Sequence, residues 1–191
     1  MRIISGKYKG HLVSFKADHI RPTTDRVKET LFNILISDID GARVLDLFSG
    51  TGSLGIEALS RGAKDLVMVE KNRKSVDIMR ANLKKFNVTE PVEIIQKDVI
   101  SFLKSYGGPP FDIIFADPPF TQEMADEVMQ AAATTKIFHD QSLMTIESGR
   151  REKIGEDYGI IFRYDVREFG DKYLSFFKRK PKETDEQTKT E

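Results

Sequence analysis

Two short motifs contain residues whose types and spacing could support chemistry. The first, Asp46-Leu-Phe-Ser-Gly50-Thr-Gly52-Ser-Leu-Gly55, spaces its glycines as G-x-G-x-x-G. Small residues in this pattern let backbone amides approach a ligand closely, although a tight structural turn is the simpler interpretation of a lone match. Glu70 strengthens the ligand interpretation, because a carboxylate about 20 residues after the first glycine can bind a ribose hydroxyl pair. These features alone fit a dinucleotide-dependent enzyme and a methyltransferase equally well.

The carboxylate of Asp46 separates these two alternatives. In a dinucleotide enzyme this position would face a pyrophosphate, which an anion repels. S-adenosylmethionine instead carries a cationic α-amino group and a sulfonium, and both are attracted by an anion. Asp98, which follows the strand predicted over residues 92–96, can accept a hydrogen bond from an adenine amine. The predicted S-adenosylmethionine-binding residues are Asp46, Phe48, Ser49, Gly50, Thr51, Gly52, Glu70, Lys71, Asp98, Val99 and Asp117.

The second motif, Asp117-Pro118-Pro119-Phe120, directly follows a strand pattern over residues 111–116. Two consecutive prolines fix the backbone and remove two amide donors. The Pro118 carbonyl is thereby held beside the Asp117 carboxylate, and two such acceptors suit a planar NH2 group. Phe120 offers a face on which a base can stack. The alternative is a rigid loop in which Asp117 caps the next helix. Beside the Asp46 loop we favour a catalytic role for Asp117, Pro118, Pro119 and Phe120.

The chemistry that these residues suit is methylation of an exocyclic amino group on a nucleic-acid base. The nitrogen of such a group is a poor nucleophile, because its lone pair is delocalised into the ring. Hydrogen bonds to Asp117 and to the Pro118 carbonyl return electron density to the nitrogen, and they strengthen in the transition state. The base must be flipped out or already unpaired to reach the site, and RNA is usually recognised at unstacked bases. The reaction requires no metal.

The hydrophobic pattern predicts the scaffold that positions these residues. Short β-branched runs alternate with helical patterns from Arg43 to Glu147. This alternation predicts an α/β fold with a mostly parallel sheet and helices on both faces. Right-handed crossovers place the carboxyl ends of the strands at one edge, where ligands bind near the topological switch point. Two β-rich runs, residues 159–168 and 173–177, predict an antiparallel hairpin that closes the sheet.

The first part of the chain is basic. Residues 1–28 carry seven basic and two acidic side chains, a net charge of +5, whereas the whole chain has a net charge of +0. This asymmetry indicates a polyanion-binding face, although a solvated basic surface is the simpler interpretation of charge alone. Short strands at residues 3–4 and 12–15 and a helix from near Thr24 form a unit too small to fold by itself. The predicted RNA-binding residues are Lys7, Lys9, Arg21, Thr24 and Arg26.

The chain divides into three predicted parts. Residues 1–40 form an N-terminal extension that packs on the main domain, residues 41–180 form the methyltransferase domain, and the charged residues 181–191 form a disordered tail. The absence of cysteine excludes disulfides, thiolate metal sites and methylation through a cysteine nucleophile. The scattered histidines argue against a metal site. Without a long apolar run or a signal sequence, we expect a cytoplasmic protein that does not bind membranes. We also expect it to be a monomer.

The chain resembles the bacterial small-subunit ribosomal RNA guanine-N2 methyltransferases of the RsmD type over about residues 1–180. The segments that carry the resemblance are Arg2-Ile-Ile-Ser-Gly6-Lys, Arg21-Pro-Thr-Thr-Asp-Arg26-Val-Lys-Glu-Thr-Leu-Phe32, the Asp46 loop, Glu57-Ala-Leu-Ser-Arg-Gly-Ala63, Val69-Glu70 and Asp117-Pro-Pro-Phe120. The Asp46 loop and the Asp117 motif alone indicate only an amino methyltransferase. Combined with residues 21–32, they become far more specific.

The resemblance implies a seven-stranded Rossmann-like sheet with an antiparallel last strand. It also implies transfer of one methyl group from S-adenosylmethionine to the N2 amine of a guanine in 16S ribosomal RNA. The partner is then ribosomal RNA, either naked or within the assembling small subunit. Ser49 and Thr51 stand where relatives often carry alanine and serine, and these exchanges of one small residue for another leave cofactor binding intact.

Three alternatives remain. An adenine-N6 methyltransferase shares the Asp-Pro-Pro-Phe motif but usually needs a target-recognition domain, and no such insertion is visible in the chain. A protein glutamine methyltransferase would favour an asparagine where this chain has Asp117. A non-catalytic RNA-binding assembly factor could keep the fold without turnover, although the intact motifs argue against it.

Overall fold

The computed structural model of the protein describes residues 1–14, 25–119 and 122–181. The predicted site residues Arg21, Thr24 and Phe120 lie outside these ranges, as does nearly all of the predicted tail. Within the described ranges the helices are α1 (Asp25–Ile34), α2 (Ser53–Ser60), α3 (Arg73–Lys85), α4 (Val99–Ser105) and α5 (Ala125–Ala133). The strands are β1 (Arg43–Leu47), β2 (Asp65–Glu70), β3 (Val92–Gln96), β4 (Phe111–Ala116), β5 (Phe138–Gly149), β6 (Ile161–Phe169) and β7 (Lys172–Arg179). In the same ranges, no helix is long and apolar enough to cross a membrane.

The strands form one seven-stranded sheet in the order β3-β2-β1-β4-β5-β7-β6. Strands β1 to β5 pair in parallel, and β7 pairs antiparallel with both β5 and β6. Strands β1, β2 and β4 are mostly apolar and are buried along nearly their whole length, as expected for strands that are covered by helices on both faces. The predicted Rossmann-like fold and its antiparallel closing hairpin are confirmed.

The register of the central strands brings the two chemical motifs to one edge of the sheet. Leu47 at the end of β1 pairs with Val69 of β2 on one side and with Ala116 of β4 on the other. The next residues along these three strands are Phe48, Glu70 and Asp117. The chain proceeds from β1 outward through β2 and β3, and it then returns to place β4 on the other side of β1. The motifs therefore lie at the topological switch point, where ligands bind in this type of sheet.

The N-terminal unit packs on α2 through a buried charge network. Glu57 of α2 is fully buried and accepts hydrogen bonds from the backbone amides of Ile4 (2.8 Å) and Ser5 (3.0 Å). The same carboxylate pairs with the ammonium of Lys28 on α1 at 3.1 Å and with the guanidinium of Arg61 at 2.8 Å. Burial lowers the pKa of Lys28, and the charge of Glu57 opposes this effect. One carboxylate thus fastens both the first residues and α1 to the sheet domain.

The prediction of short strands in the N-terminal unit is wrong for the residues that the structure describes. Residues 1–14 contain a single isolated antiparallel bridge, between Arg2 and Leu12. Ile3 donates its amide to the His11 carbonyl at 3.0 Å, and Gly10 donates to the Ile3 carbonyl at 2.9 Å. These bonds close a compact loop, which leaves too few residues for an extended ladder.

Candidate active site

The glycine-rich segment forms a tight loop between β1 and α2. Phe48 and Gly50 adopt positive φ angles of 59° and 54°, and the Ser49 amide donates to the Val69 carbonyl at 3.1 Å. Gly52 starts α2 with a φ of 84°, and a Cβ at this position would lie 3.1 Å from the Met79 side chain. A side chain at Gly52 would therefore meet both backbone strain and a steric contact. The helix begins without a side-chain cap, which leaves its first amides to other acceptors.

Asp46 lies within β1 rather than in the loop itself, which corrects the sequence-based placement. Its side chain is buried, and one carboxylate oxygen accepts a hydrogen bond from the Gly55 amide at 2.9 Å. Burial, together with the negative charges of Asp117 and Glu70, raises the pKa of Asp46 to about 8, against the opposing effect of the Gly55 hydrogen bond. A cationic ligand group placed here would relieve this unfavourable burial of negative charge.

Glu70 ends β2, and its carboxylate supports the loop. One oxygen accepts from the Gly50 amide at 3.0 Å, and the other accepts from the Asn72 amide at 2.7 Å. A carboxylate oxygen has more than one lone pair, so a ribose hydroxyl pair can still bind to the same group. Glu70 is therefore able to hold the loop and a ligand at the same time.

The remaining predicted cofactor residues differ in their surroundings. Asp98 is exposed and caps α4 by accepting from the Ser101 amide at 3.0 Å, which orients its carboxylate beyond the end of β3. Val99 is buried, and Lys71 is exposed. The Thr51 carbonyl accepts a hydrogen bond from the Asn82 side chain at 3.0 Å.

Asn82 was not predicted from the sequence. It is fully buried on α3, and besides its bond to Thr51 it accepts from the Ser14 amide at 2.9 Å. A single side chain thus links the N-terminal unit to the glycine-rich loop. An asparagine at a buried helix position is the sequence signal that could have revealed it.

The Asp117 motif leaves β4 beside the glycine-rich loop. Asp117 is partly exposed and Pro118 is buried, and both line a small pocket. The rest of its lining comes from the end of β5, the segment that follows it and the start of β7, namely Glu147, Ser148, Gly149, Glu152 and Lys172. These five residues were missed in the sequence, because strand pairing rather than local sequence brings them here.

The alternative role for Asp117, as a cap for the next helix, does not apply. Helix α5 has Met124 at its N-cap position, with no capping side-chain bond. The amide of Ala125 donates instead to the Glu152 carboxylate at 2.5 Å. The Asp117 carboxylate is therefore not needed to start α5.

The predicted RNA-binding residues are only partly described. Lys7 pairs with Glu90 at 2.8 Å and also donates to the Thr89 hydroxyl at 3.1 Å. Burial alone would raise the pKa of Glu90, but hydrogen bonds from Lys7 and Tyr8 hold it below its usual range. Lys9 and Arg26 are exposed. A phosphate would compete with Glu90 at Lys7, so Lys9 and Arg26 are the more accessible candidates.

Three features define the class of this protein: the sheet order, the carboxylate beside the glycine-rich loop, and the Asp-Pro-Pro segment at the switch point. The protein is an S-adenosylmethionine-dependent methyltransferase of Rossmann-like fold. Comparisons with known proteins refine this assignment. A family model described as conserved hypothetical protein 95 matches residues 1–178.

Curated relatives and a solved structure agree with this match. The ribosomal RNA small subunit methyltransferase D of Buchnera aphidicola subspecies Acyrthosiphon pisum is 38% identical over 153 residues, which is 80% of each chain. The Escherichia coli K12 protein of the same name is 36% identical over 149 residues, covering 78% of this chain and 74% of its own. The solved structure of a provisionally assigned Escherichia coli methyltransferase has a TM-score of 0.84 at 31% identity, covering 94% of this chain and 97% of its own. The chain belongs to the conserved hypothetical protein 95 family, together with these small subunit methyltransferase D proteins, and the predicted resemblance is confirmed.

Proposed function

We propose that this protein transfers a methyl group from S-adenosylmethionine to the exocyclic N2 amine of a guanine in 16S ribosomal RNA. The observation that carries the proposal is the juxtaposition of Asp117 and Pro118 with the Asp46 loop at the switch point. The names of the curated relatives, ribosomal RNA small subunit methyltransferase D, support the choice of RNA.

The protein works as a monomer in the cytoplasm, on the naked RNA or on the assembling small subunit. Residues 1–40 serve as an RNA-contacting extension, residues 41–180 as the methyltransferase domain, and residues 181–191 as a disordered tail.

The residues around the loop fit this cofactor. Asp46 offers negative charge to its cationic groups, Glu70 accepts from its ribose hydroxyls, and Asp98 accepts from its adenine amine. The backbone of Phe48, Ser49, Gly50, Thr51 and Gly52 lies close to it, and Lys71 and Val99 flank its nucleoside. When bound, the cofactor supplies an electrophilic methyl group on a positively charged sulfur.

The residues of the Asp117 motif act on the amine of the base. The Asp117 carboxylate and the Pro118 carbonyl accept its two N–H groups, which increases the electron density on the nitrogen as it attacks. These hydrogen bonds strengthen as the nitrogen becomes positive, so they stabilise the transition state more than the ground state. Asp117 or bulk water then accepts the proton that leaves the nitrogen. Pro119 stiffens the turn, and Phe120 stacks on the base.

The test is methyl transfer in vitro, followed by mass spectrometry of the nucleosides. The substrates are unmodified 16S ribosomal RNA and small subunits reconstituted from it, and the expected product is N2-methylguanosine. Asp117→Ala should abolish transfer and leave calorimetric cofactor affinity nearly unchanged, since its partner is the base. Phe120→Ala should weaken base positioning by about 1–3 kcal/mol, the usual value of stacking on one base. Asp77→Ala, an exposed aspartate on α3, is the matched control and should retain activity.

The same assay distinguishes the alternatives. N6-methyladenosine as the product would replace guanine by adenine as the target. Cofactor binding without transfer to either substrate would favour a non-catalytic assembly factor. Equal loss of cofactor binding and turnover in Asp117→Ala would make Asp117 a structural residue.

A further inference from the structure

A second carboxylate stands beside Asp117 at the edge of the sheet. Ala116, the last residue of β4, pairs with Ile146 of β5, so Glu147 follows at the same level as Asp117. Both residues line the pocket next to Pro118. The site proposed for the amine is therefore continuous with a site that contains Glu147.

Glu147 is kept in this pocket as half of an ion pair. Its residue is 6% exposed, and its carboxylate contacts the Lys172 ammonium at 2.6 Å. Lys172 begins β7, and its side chain is 14% exposed. A buried ion pair contributes little net stability compared with apolar residues of similar volume. Its presence in a pocket at the active edge therefore requires a different explanation.

The other glutamate of the pocket has a structural role that Glu147 does not share. Both oxygens of Glu152 accept backbone amides, from Ala125 at 2.5 Å and from Gly149 at 3.2 Å. These bonds join the start of α5 to the end of β5. The carboxylate of Glu147 is held by a side chain, Lys172, which fixes its direction and leaves further lone pairs for a ligand.

We propose that Glu147 accepts a hydrogen bond from the ring N1–H of the target guanine and thereby selects guanine over adenine. Lys172 acts as a positioning residue that orients this carboxylate. The inference rests on the proposed function. Guanine presents its N2 amine and its N1–H as adjacent donors, which suits Asp117 and Glu147 side by side. Adenine presents its amine beside an N1 lone pair, and a carboxylate facing that lone pair repels it. A site built for a donor strongly rejects an analogue that lacks the donor.

The test uses a base that keeps the 2-amine of guanine but has no hydrogen on N1. In 2-aminopurine the 2-amine remains, whereas N1 carries a lone pair instead of a hydrogen. After nucleoside mass spectrometry has located the modified guanine, 16S ribosomal RNA with 2-aminopurine at that position is prepared by splinted ligation. Single-turnover methyl transfer is then measured for the two RNAs, with and without reconstitution into small subunits.

The wild-type protein should methylate the guanine RNA roughly ten- to a hundredfold faster than the 2-aminopurine RNA, as expected for one lost hydrogen bond to a charged group. Glu147→Gln should slow transfer to guanine and speed transfer to 2-aminopurine, because the glutamine amide can donate to the N1 lone pair. Lys172→Met should slow transfer to guanine with no gain on 2-aminopurine. Glu168→Gln, an exposed residue of β6, should behave as wild type on both RNAs.

The outcomes distinguish failure of the proposed function from failure of the role of Glu147. A wild-type protein that methylates no guanine in either RNA form contradicts the proposed function. A wild-type protein that methylates guanine and 2-aminopurine equally well overturns the role of Glu147, even if its variants fail to fold. An unchanged ratio between the two bases in a folded Glu147→Gln variant overturns it as well.

Discussion

Two buried carboxylates, one within α2 and one in the strand before it, have opposite surroundings. Glu57 in the helix is fully buried, and it contacts Lys28 and Arg61 in addition to two backbone amides. Asp46, in the strand before the helix, is 2% exposed and accepts the Gly55 amide. Among the described residues no lysine or arginine forms an ion pair with Asp46, and the nearest charges that act on it are the carboxylates of Asp117 and Glu70.

The difference separates a carboxylate that serves the fold from one that is suited to a ligand. The negative charge of Glu57 is neutralised within the protein, so its role is complete without any further group. The ionised form of Asp46 is disfavoured in the protein alone, which is why burial raises its pKa to about 8. A cation that binds beside Asp46 supplies the charge that the protein lacks, and perturbed carboxylates of this kind concentrate at functional sites.

The largest expected effect comes from breaking the network of Glu57. Lys28→Met should lower the free energy of unfolding by about 3–5 kcal/mol, because it leaves a buried carboxylate with one of its two cations removed. Urea denaturation measures this effect. Lys64→Met, an exposed lysine, is the control and should change stability little. If Lys28→Met is as stable as wild type, burial of the Glu57 carboxylate does not need the Lys28 cation, and the contrast with Asp46 fails.

Asp46→Asn should show the opposite behaviour. Its side-chain oxygen still accepts from Gly55, so stability should be preserved, while the affinity for S-adenosylmethionine should fall by about 2–4 kcal/mol because a charge partner is lost. Calorimetry and thermal unfolding together measure both quantities. Asp77→Asn is the exposed control. Loss of stability without loss of affinity would place Asp46 with Glu57 as a structural carboxylate.

The pH dependence of binding tests the same residue in the wild-type protein. A bound cation favours ionised Asp46, so binding should release up to roughly one proton below pH 8 and affinity should rise with pH toward 9. In the absence of cofactor, the free energy of unfolding should instead fall as pH rises. The pKa of Asp46 is about 3.9 in the unfolded protein and higher in the folded protein, so its contribution to stability is complete below pH 4 and is lost as pH rises through 8. Calorimetry in buffers of different ionisation enthalpy measures the proton release, and Asp46→Asn should abolish it.

Glu70 lies between the two extremes, since it holds the loop and faces the predicted ribose site. Glu70→Ala should reduce cofactor affinity by about 1–3 kcal/mol, the value of hydrogen bonds to a charged group. Glu93→Ala, an exposed glutamate of β3, is the matched control. Unchanged calorimetric affinity in Glu70→Ala would remove this residue from the cofactor site and leave it as a loop support.

The smallest effect is expected for two surface lysines, Lys7 and Lys9, on the affinity for RNA. The Lys7→Ala/Lys9→Ala double variant should bind ribosomal RNA more weakly, and the slope of log affinity against log salt should be shallower by roughly 0.7–0.9 for each lost phosphate contact. Since Lys7 is paired with Glu90, most of the change should come from Lys9. Cofactor binding should not change. Wild-type behaviour across the salt series would move the RNA footprint elsewhere, for example toward Arg150 and Arg151.

The sequence predicts those parts of the fold that depend on short segments. Three features carry a local signal and occur where expected: the apolar residues of β1 and β4, the glycine spacing after β1, and the proline pair after β4. The apolar pattern predicts a strand over residues 143–147, whereas β5 begins at Phe138. An irregularity between Phe111 and Ile113 shifts the pairing there, and the Ser142 hydroxyl donates to the Phe111 carbonyl at 2.6 Å. Such a departure from regular pairing has no periodic signature.

The side chains that complete the site could not be predicted, because their partners are distant in the sequence. Glu147 and Lys172 meet only because β7 pairs with β5, and Lys28 meets Glu57 only because α1 packs on α2. The position of Glu147 at the end of a predicted strand was a usable signal, since that edge collects ligands. Nothing local marks Lys172. The basic count over residues 1–28 also misled in part, because Lys28 is buried and Lys7 is paired.

The position of β7 determines when the active site can form during synthesis of the chain. Among the described residues it is the last strand in sequence order, yet it lies between β5 and β6 in the sheet and carries Lys172. A nascent chain that has not yet released residues 172–179 from the ribosome therefore leaves β5 with an unpaired edge. Its cofactor loop can form from β1 and β2 alone, but Glu147 still lacks its cation. The pocket proposed for the base is thus completed later during synthesis than the cofactor loop.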